Sequence, residues 1–246
     1  MDNSGQLDTI LDDFTQISGL KILVHGGGNK ASNLSAKLGI KPQMVNGRRI
    51  TDSDTLDVIT MVYAGLINKD LVARLQSKNV NAIGLSGADG NSIPAIKRPV
   101  KEIDYGFAGD LPDEARSSHS LKVLLENGMT PVFCALTHDG KGQLLNTNSD
   151  TIASYLAKTL CRNYQVTLVY CLDKPGVLLK TDDHTTVINE LNPSSYEDLI
   201  SKSIIMEGMI PKLDNAFSAL RLGVQQICLC DWNDISGASG TKISLS

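Results

Sequence analysis

Hydrophobic positions along this chain follow two different spacings. Apolar residues three or four positions apart predict helices, whereas short continuous apolar runs predict buried strands. The first segment predicts an amphipathic helix, whose apolar side would be formed by Leu7, Ile10, Leu11, Phe14 and Ile17. A second, longer helical pattern begins near Thr51 or Asp52 and places on one side Leu56, Ile59, Tyr63, Leu66 and Ile67.

Apolar runs and helical patterns alternate along the rest of the chain. The runs that predict strands are LKILVH, VNAIGLS, TPVFCAL, QVTLVYCL and VQQICLCD, with GTKISLS expected as a final edge strand. Further helices are predicted at NKASNLSAKLG, SLKVLLENG, SDTIASYLAKTL and SSYEDLISKS, and after Pro211. The stretch KPQMVNGRRIT is predicted to be a polar loop, and THDGKGQLLN a hairpin. This alternation predicts an α/β fold with a mostly parallel sheet.

Composition argues against several classes of protein. With 246 residues, of which 41% are hydrophobic, the chain can bury a sizeable core. Its net charge of −4 argues against nucleic acid as the main partner. No apolar run approaches the roughly 20 residues that span a bilayer, and the acidic start of the chain differs from a signal peptide. We therefore expect a cytoplasmic protein, with buried and reduced thiols at Cys134, Cys171, Cys228 and Cys230.

The stretch LVHGGGNKAS places Gly26, Gly27 and Gly28 between a strand and a helix. Three explanations are open. The pattern fits a degenerate dinucleotide fingerprint, although the basic segment KPQMVNGRR stands where that fingerprint requires an acidic strand end. The glycines could also form a tight turn against the sheet. Alternatively, their N–H groups at a helix start could bind an anion, which the helix dipole favours.

Three other polar groups are consistent with an anion site. Arg48 and Arg49 lie in a loop, and guanidinium forks suit carboxylates, although loop arginines are often plain surface charge. The stretch NTNSD places Asn146, Asn148 and Asp150 before a helix, where they could equally act as caps. Lys212 lies in the first turn of a helix, where the dipole disfavours a cation, so a polyanion nearby would explain it.

Five collinear motifs, VHGGG, NGRRITD, LNTNSDTIA, LDKPGVL and EGMIPKL, together resemble the acetylglutamate kinases of the amino-acid kinase family, and most of all their Bacteroidetes branch. The resemblance covers nearly the whole chain. It implies phosphorylation of the γ-carboxylate of N-acetyl-L-glutamate, or N-succinyl-L-glutamate, by MgATP in arginine biosynthesis. It also implies an open, mainly parallel sheet between helices, a homodimer, an acyl-amino-acid lobe at residues 1–145 and a nucleotide lobe at residues 146–246.

The resemblance also implies roles for individual residues. The N–H groups of Gly27 and Gly28 would bind the substrate or the transferring phosphoryl group, Arg49 would hold the α-carboxylate, and Asn146 would assist substrate binding. As catalytic residues, Lys212 would neutralise phosphate charge and Asp150 would orient the active lysines. The residues expected at the nucleotide are Asp173, Gly176, Gly208, Met209 and Lys212.

One family feature is missing from the sequence. The family begins with a strand and a Lys-x-Gly-Gly loop, and no Lys-x-Gly-Gly occurs in this chain. We expect the in-frame coding sequence upstream of Met1 to supply that strand and loop. The alternatives are a catalytically impaired ligand-binding relative, or a kinase for another carboxylate substrate.

Overall fold

The structure, a computed structural model, describes residues 4–45, 47–113, 119–205, 209–237 and 239–246. The helices are α1 (Ser4–Gln16), α2 (Gly28–Lys37), α3 (Ser53–Thr60), α4 (Asn68–Ser77), α5 (His119–Glu126), α6 (Ser149–Leu160), α7 (Pro193–Ser201) and α8 (Ile210–Arg221). A π segment (Met61–Ile67) joins α3 to α4, and a 3₁₀ turn spans Asp89–Asn91.

The strands are β1 (Leu23–His25), β2 (Met44–Val45), β3 (Arg48–Arg49), β4 (Ala82–Leu85), β5 (Ile96–Lys97), β6 (Gly109–Asp110), β7 (Thr130–Cys134), β8 (Leu136–His138), β9 (Leu144–Asn146), β10 (Thr167–Leu172), β11 (Glu190–Leu191), β12 (Gln226–Asp231) and β13 (Thr241–Ile243). The chain divides into two compact units. One consists of residues 18–152, and the other of residues 1–17 together with 153–246.

The unit of residues 18–152 contains a parallel sheet in the order β1-β7-β4. Its middle strand, β7, is buried along its whole length, which fits the uninterrupted apolar run TPVFC. Antiparallel ribbons pair β2 with β3, β5 with β6, and β8 with β9. The β8–β9 hairpin was predicted, whereas the prediction of a polar loop at residues 41–51 was wrong because Met44 pairs with Arg49.

The unit of residues 1–17 and 153–246 contains a sheet in the order β10-β12-β13-β11. Its hydrophobic core includes Leu168, Tyr170, Leu213, Phe217 and Leu229. Strand β13 pairs with β12 and with β11, so the prediction of an edge strand at the end of the chain was wrong. Instead, β10 lies at an edge of the described sheet, and its side chains alternate between buried and exposed because successive side chains point to opposite faces.

The thiols follow the same strand alternation. Cys134, Cys228 and Cys230 are buried as predicted, whereas Cys171 on the edge strand β10 is exposed. The prediction of burial for Cys171 was therefore wrong. Its apolar neighbours in sequence, Tyr170 and Leu172, do not share its face of the strand, because successive side chains point to opposite sides.

Candidate functional site

The glycine turn connects β1 to α2 in the unit of residues 18–152. Each of its carbonyl groups accepts a hydrogen bond: Gly26 from the His25 ring at 2.8 Å, Gly27 from the Ala31 N–H at 2.9 Å, and Gly28 from Arg49 Nη2 at 3.1 Å. A fixed carbonyl fixes the N–H on the other side of the same planar peptide. The orientations of the turn's N–H groups are therefore determined by the surrounding residues.

Gly27 is required by packing. A Cβ at this position would overlap Ile67 Cδ1 and lie 2.9 Å from Tyr63 Cδ1. Both residues belong to the π segment, and both are buried. By contrast, a Cβ at Gly28 would first meet Arg49 Nη2, at 4.0 Å. The tight-turn explanation thus holds for Gly27. It is compatible with an anion site, because the buried Arg49 contacts the start of α2 at this turn.

Arg49 is the cation at this turn. Only 8% of its surface is exposed, and its Nη2 donates to the Gly28 carbonyl and to Ser32 Oγ, the latter at 2.8 Å. Its Nη1 is also buried but has no hydrogen-bond partner within the described part of the chain. Burial raises the pKa of the nearby Tyr63 hydroxyl, and the charge of Arg49 opposes that rise. A buried guanidinium nitrogen without an acceptor is costly, and an anionic ligand would satisfy it.

Asn146 is linked to Arg49 through one buried threonine. Its Nδ2 donates to Thr51 Oγ1 at 3.0 Å, and that hydroxyl lies 3.3 Å from the Arg49 carbonyl. Thr51 is completely buried, and its backbone bonds to Tyr105 and Phe107. The structure places Gly27, Gly28, Arg49 and Asn146 in one unit, that of residues 18–152.

The start of α6 combines a cap with an acidic first turn. Asn148 Oδ1 accepts the N–H groups of Asp150, at 2.8 Å, and Thr151, at 3.1 Å. Asn148 is therefore a capping residue. The same helix start borders the glycine turn, since a Cβ at Gly26 would lie 3.4 Å from Ser149 Oγ.

Lys212 lies in the other unit, in the first turn of α8. Its Nζ is 4.8 Å from the centre of the Tyr170 ring on β10, a cation–π arrangement. The Cys171 thiol, next in sequence, has a lowered pKa because it accepts a hydrogen bond from Cys230 and, to a smaller extent, because Lys212 is positively charged. The lysine thus lies over the edge strand that leads to the predicted nucleotide residues.

The remaining predicted nucleotide residues are divided between two places. Asp173 is exposed directly after β10, and Gly176 is buried three residues later, where a Cβ would lie 2.7 Å from Thr241 Oγ1. Met209 is the N-cap residue of α8, and its carbonyl accepts the Lys212 N–H at 3.1 Å. The prediction for Gly208 falls outside the described residues. Ligands characteristically bind at the carboxyl ends of parallel strands, where Asp173 lies.

Sequence reasoning missed Asn68 near the glycine turn, and it favoured a packed strand-end histidine over a catalytic one at His25. His25 and Asn68 are each only 1% exposed, and Asn68 Nδ2 lies 3.1 Å from His25 Nε2 and 2.9 Å from the Val132 carbonyl. Burial lowers the pKa of His25. An asparagine inside an apolar helical pattern is the signal that could have found Asn68. Tyr63 had been assigned only to the apolar side of its helix.

Comparison with known proteins identifies the class. The sequence profile described as the amino acid kinase family matches residues 1–231. The chain therefore belongs to the amino acid kinase family, and the helices and parallel strand pairs described above are those of that fold.

Individual relatives show which kinases of this family the chain resembles. An acetylglutamate kinase of Phocaeicola vulgatus is 51% identical over 243 residues, which are 99% of this chain and 94% of that protein. An acetylglutamate kinase of Cytophaga hutchinsonii is 52% identical over 231 residues, or 94% of this chain and 87% of that protein. The archaeal acetylglutamate kinase of Methanopyrus kandleri is 36% identical, and the match covers 97% of each chain. The predicted likeness to Bacteroidetes acetylglutamate kinases is confirmed.

Solved structures confirm the fold. A protein of Streptococcus mutans has a TM-score of 0.78 and 24% identity over 98% of this chain and 91% of its own. The carbamate kinase of Giardia lamblia bound to AMP-PNP has a TM-score of 0.65 and 14% identity over 98% of this chain and 89% of its own. No helix in the described ranges is long and apolar enough to cross a membrane.

Proposed function

We propose that this protein is a kinase that transfers the γ-phosphoryl group of ATP to the γ-carboxylate of N-acetyl-L-glutamate, a step of arginine biosynthesis. Relatives that carry the name acetylglutamate kinase align over nearly the whole chain at about half identity. The single structural observation that carries the proposal is the buried Arg49 beside the glycine turn, with one guanidinium nitrogen still lacking an acceptor among the described residues.

On this proposal, Arg49 Nη1 holds the α-carboxylate of the acyl amino acid. Arg49 Nη2 is already used by Gly28 and Ser32, so one nitrogen positions the turn while the other binds the ligand. The N–H groups of Gly27 and Gly28 are then the donors for the γ-carboxylate or for the phosphoryl group it receives. Asn146, held by Thr51, completes the substrate residues.

The chemistry needs charge compensation more than proton transfer. An oxygen of the γ-carboxylate attacks the γ-phosphorus, the bond from that phosphorus to the β–γ bridging oxygen breaks, and ADP leaves. The carboxylate is already ionised at neutral pH, so it requires no general base. Alignment and electrostatic stabilisation of the transferring phosphoryl group then carry most of the catalysis.

The nucleotide side of the proposal rests on α8 and on the segment after β10. We assign phosphate neutralisation to Lys212 and nucleotide contacts to Asp173, Gly176, Gly208 and Met209, with Asp150 orienting the active lysines. Mg²⁺ enters as part of the MgATP substrate, because this ion is commonly held by phosphates and few protein ligands.

The decisive experiment measures binding and turnover together. Calorimetry with N-acetylglutamate, N-succinylglutamate, glutamate, aspartate and uridylate would run beside a coupled ADP-release assay with each compound and MgATP. The proposal expects binding and turnover with N-acetylglutamate in preference to the others. Preference for another compound would replace the substrate, and binding without turnover would indicate the ligand-binding alternative.

We also propose a cytoplasmic homodimer. The exposed Met61 and Leu66, at 53% and 61% exposure, provide apolar surface on the long helix that a second copy could cover. Sedimentation equilibrium tests this assembly, and a Leu66→Glu variant should shift the protein toward the monomer. A monomer at micromolar concentration in the unmodified protein would rule the dimer out.

A further inference from the structure

A chain of polar groups, buried at His25 and Asn68 and exposed at Lys69, crosses the three strands β1, β7 and β4. Asn68 Nδ2 donates to His25 Nε2 on β1 and to the Val132 carbonyl on β7. Asn68 Oδ1 accepts from Lys69 Nζ at 3.2 Å, and the same ammonium donates to the Gly84 carbonyl on β4 at 3.3 Å. One asparagine at the start of α4 therefore connects to each strand of this sheet.

These contacts determine the tautomer of His25. The Val132 carbonyl can only accept, so the Asn68 atom that faces it must be the amide nitrogen. The second hydrogen of that nitrogen points to His25 Nε2, which must therefore accept. In a neutral imidazole the other nitrogen then carries the proton, so Nδ1 donates to the Gly26 carbonyl at 2.8 Å. Lys69 on Asn68 Oδ1 agrees with this assignment.

The bond to Gly26 has a consequence for the next residue. The carbonyl of Gly26 and the N–H of Gly27 belong to one planar, trans peptide, in which they point in opposite directions. Holding the carbonyl toward the buried His25 ring therefore directs the Gly27 N–H away from it. Neither glycine has a side chain that could otherwise limit rotation of this peptide.

The position of Asn68 requires a glycine on the neighbouring strand β4. A Cβ at Gly84 would overlap Asn68 Oδ1 and lie 2.8 Å from Lys69 Nζ, so β4 must have a glycine at this level. A glycine inside a strand weakens that strand. A leucine at position 68 would suit the apolar helix pattern without needing any of these partners. Packing alone therefore does not explain why these polar groups are present.

We propose that Asn68 and His25 are positioning residues, which hold the Gly26–Gly27 peptide so that the Gly27 N–H is presented to the bound ligand. This inference rests on the proposed function only for the identity of that ligand, the acyl amino acid and the phosphoryl group it receives. Asn68 fixes the tautomer and the ring orientation of His25, and His25 fixes the peptide. Neither residue touches the reacting atoms.

Two substitutions at position 25 separate the roles of the two ring nitrogens of His25. In His25→Asn, an amide nitrogen replaces Nδ1 and can still donate to Gly26, while the acceptor for Asn68 is lost. In His25→Gln, an amide oxygen replaces Nε2 and can still accept from Asn68, while the donor to Gly26 is lost. Each variant loses one buried hydrogen bond, so similar decreases in thermal stability are expected. The proposal expects kcat within about threefold of the unmodified protein for His25→Asn and at least about tenfold lower for His25→Gln.

A spectroscopic measurement keeps the inference testable without turnover. In ¹⁵N-labelled protein, the His25 ring should show a protonated Nδ1 and an unprotonated Nε2, and the Gly27 amide resonance should be retained in His25→Asn but shifted or broadened in His25→Gln. Failure of the proposed function, with no binding of N-acetylglutamate, would leave this pattern unchanged. A protonated Nε2 in the unmodified protein, or equal effects of both variants on the Gly27 amide and on kcat, would overturn the inference.

A substitution at Asn68 tests whether this residue determines the protonation of His25. Asn68→Asp places a carboxylate oxygen against Val132 and His25, so His25 Nε2 must gain a proton and the ring becomes an imidazolium at neutral pH. The ¹⁵N spectrum should show both ring nitrogens protonated, whereas the unmodified protein should show only Nδ1 protonated. The matched control is Asn127→Asp, because the Asn127 amide also donates to a carbonyl, Val123 at 2.8 Å, but at an exposed position directly after α5. An unchanged His25 spectrum in a folded Asn68→Asp variant would refute the link.

Discussion

At the scale of single residues, the candidate site depends on polar groups that have few alternative partners. Arg49 is buried with one nitrogen lacking an acceptor among the described residues, and His25 is buried in a neutral tautomer between a carbonyl and an amide. A buried arginine and a buried histidine have large desolvation costs. Arg49 should therefore respond strongly to conservative substitution, and the stability that depends on His25 should change with pH.

Arg49→Lys preserves the charge but removes the planar guanidinium group with its two terminal nitrogens. A lysine ammonium cannot occupy the positions of Nη1 and Nη2 together, so either the turn or the ligand loses its donor. We expect the dissociation constant for N-acetylglutamate to rise about tenfold to a hundredfold, the range of one hydrogen bond to a charged group. Calorimetry measures this change. Arg98→Lys is the control, since Arg98 pairs with Asp110 in the same unit, and an equal loss in both variants would contradict the assignment.

The buried His25 predicts how stability changes with pH. Its pKa is lowered in the folded state by burial, so the unfolded state gains a proton first as the pH falls. The free energy of unfolding should thus be highest above about pH 6.5, the ordinary histidine pKa, and should fall below it by at most about 1.4 kcal/mol per pH unit for one proton. Urea titrations between pH 5 and pH 8 measure this slope.

The control for the pH experiment is His25→Asn, which removes the titrating group while retaining the donor to Gly26. The difference in unfolding free energy between the two proteins should shrink as the pH falls from 7 to 5. A constant difference over that range would show that His25 does not titrate between its folded and unfolded values.

Residue types were predictable from the sequence, but their partners were not. The motif around Arg49 predicted a cation for a carboxylate, and the structure places that residue against Gly28. Asn68 lies in an apolar helical pattern, and only the pairing of β1, β7 and β4 reveals that it reaches each strand. Such contacts join residues more than forty positions apart, so no local pattern contains them.

At the scale of elements, helix and strand types followed from the hydrophobic spacing, whereas strand positions in the sheets did not. The run TKI predicted a strand correctly, but only its neighbours β11 and β12 make it an interior one. The long helix was predicted to begin near Thr51 or Asp52, and Asp52 caps it by accepting the Thr55 N–H at 2.9 Å. Its π segment was not predicted, because i to i+5 bonding leaves the spacing of apolar residues close to the helical one.

The packing between the π segment and the glycine turn can be tested by two matched substitutions. Gly27→Ala places a methyl group into Ile67 and Tyr63, and we expect a loss of about 1–3 kcal/mol in the free energy of unfolding. Gly28→Ala meets nothing closer than 4.0 Å and lies within α2, so it should be neutral or slightly stabilising. Chemical denaturation compares the two. Similar stability losses would show that the turn does not pack as described.

At the scale of the whole molecule, the sequence order of the sites maps onto two compact units. The glycine turn, Arg49 and Asn146 belong to residues 18–152, whereas Lys212, Asp173 and Gly176 belong to the unit of residues 1–17 and 153–246. The sequence predicted a division of function along the chain, but not that α1 belongs with the later residues. That placement depends on long-range packing of the apolar side of α1, which a local pattern cannot specify.

Hydrogen exchange with each ligand alone tests the assignment of substrates to units. N-acetylglutamate should slow exchange in residues 26–32 and 49–51, and MgATP should slow exchange in residues 173–177 and 209–213. At a ligand concentration one hundred times the dissociation constant, protection should correspond to about 2.7 kcal/mol. Protection by MgATP confined to residues 26–32 would reverse the assignment, and Asn127, exposed directly after α5, provides an internal reference.

The π segment limits which insertions and deletions the long helix can tolerate. Each residue of an α-helix turns the following ones by about 100°. Inserting or removing one codon in α3 would therefore rotate everything after it, and Asn68 would leave the sheet. Removing one codon between positions 61 and 66 should be tolerated better, because the i to i+5 bonds would shorten to the i to i+4 bonds of an α-helix. Length variation among homologous genes should consequently avoid α3 and accumulate in the π segment and in the surface ribbons.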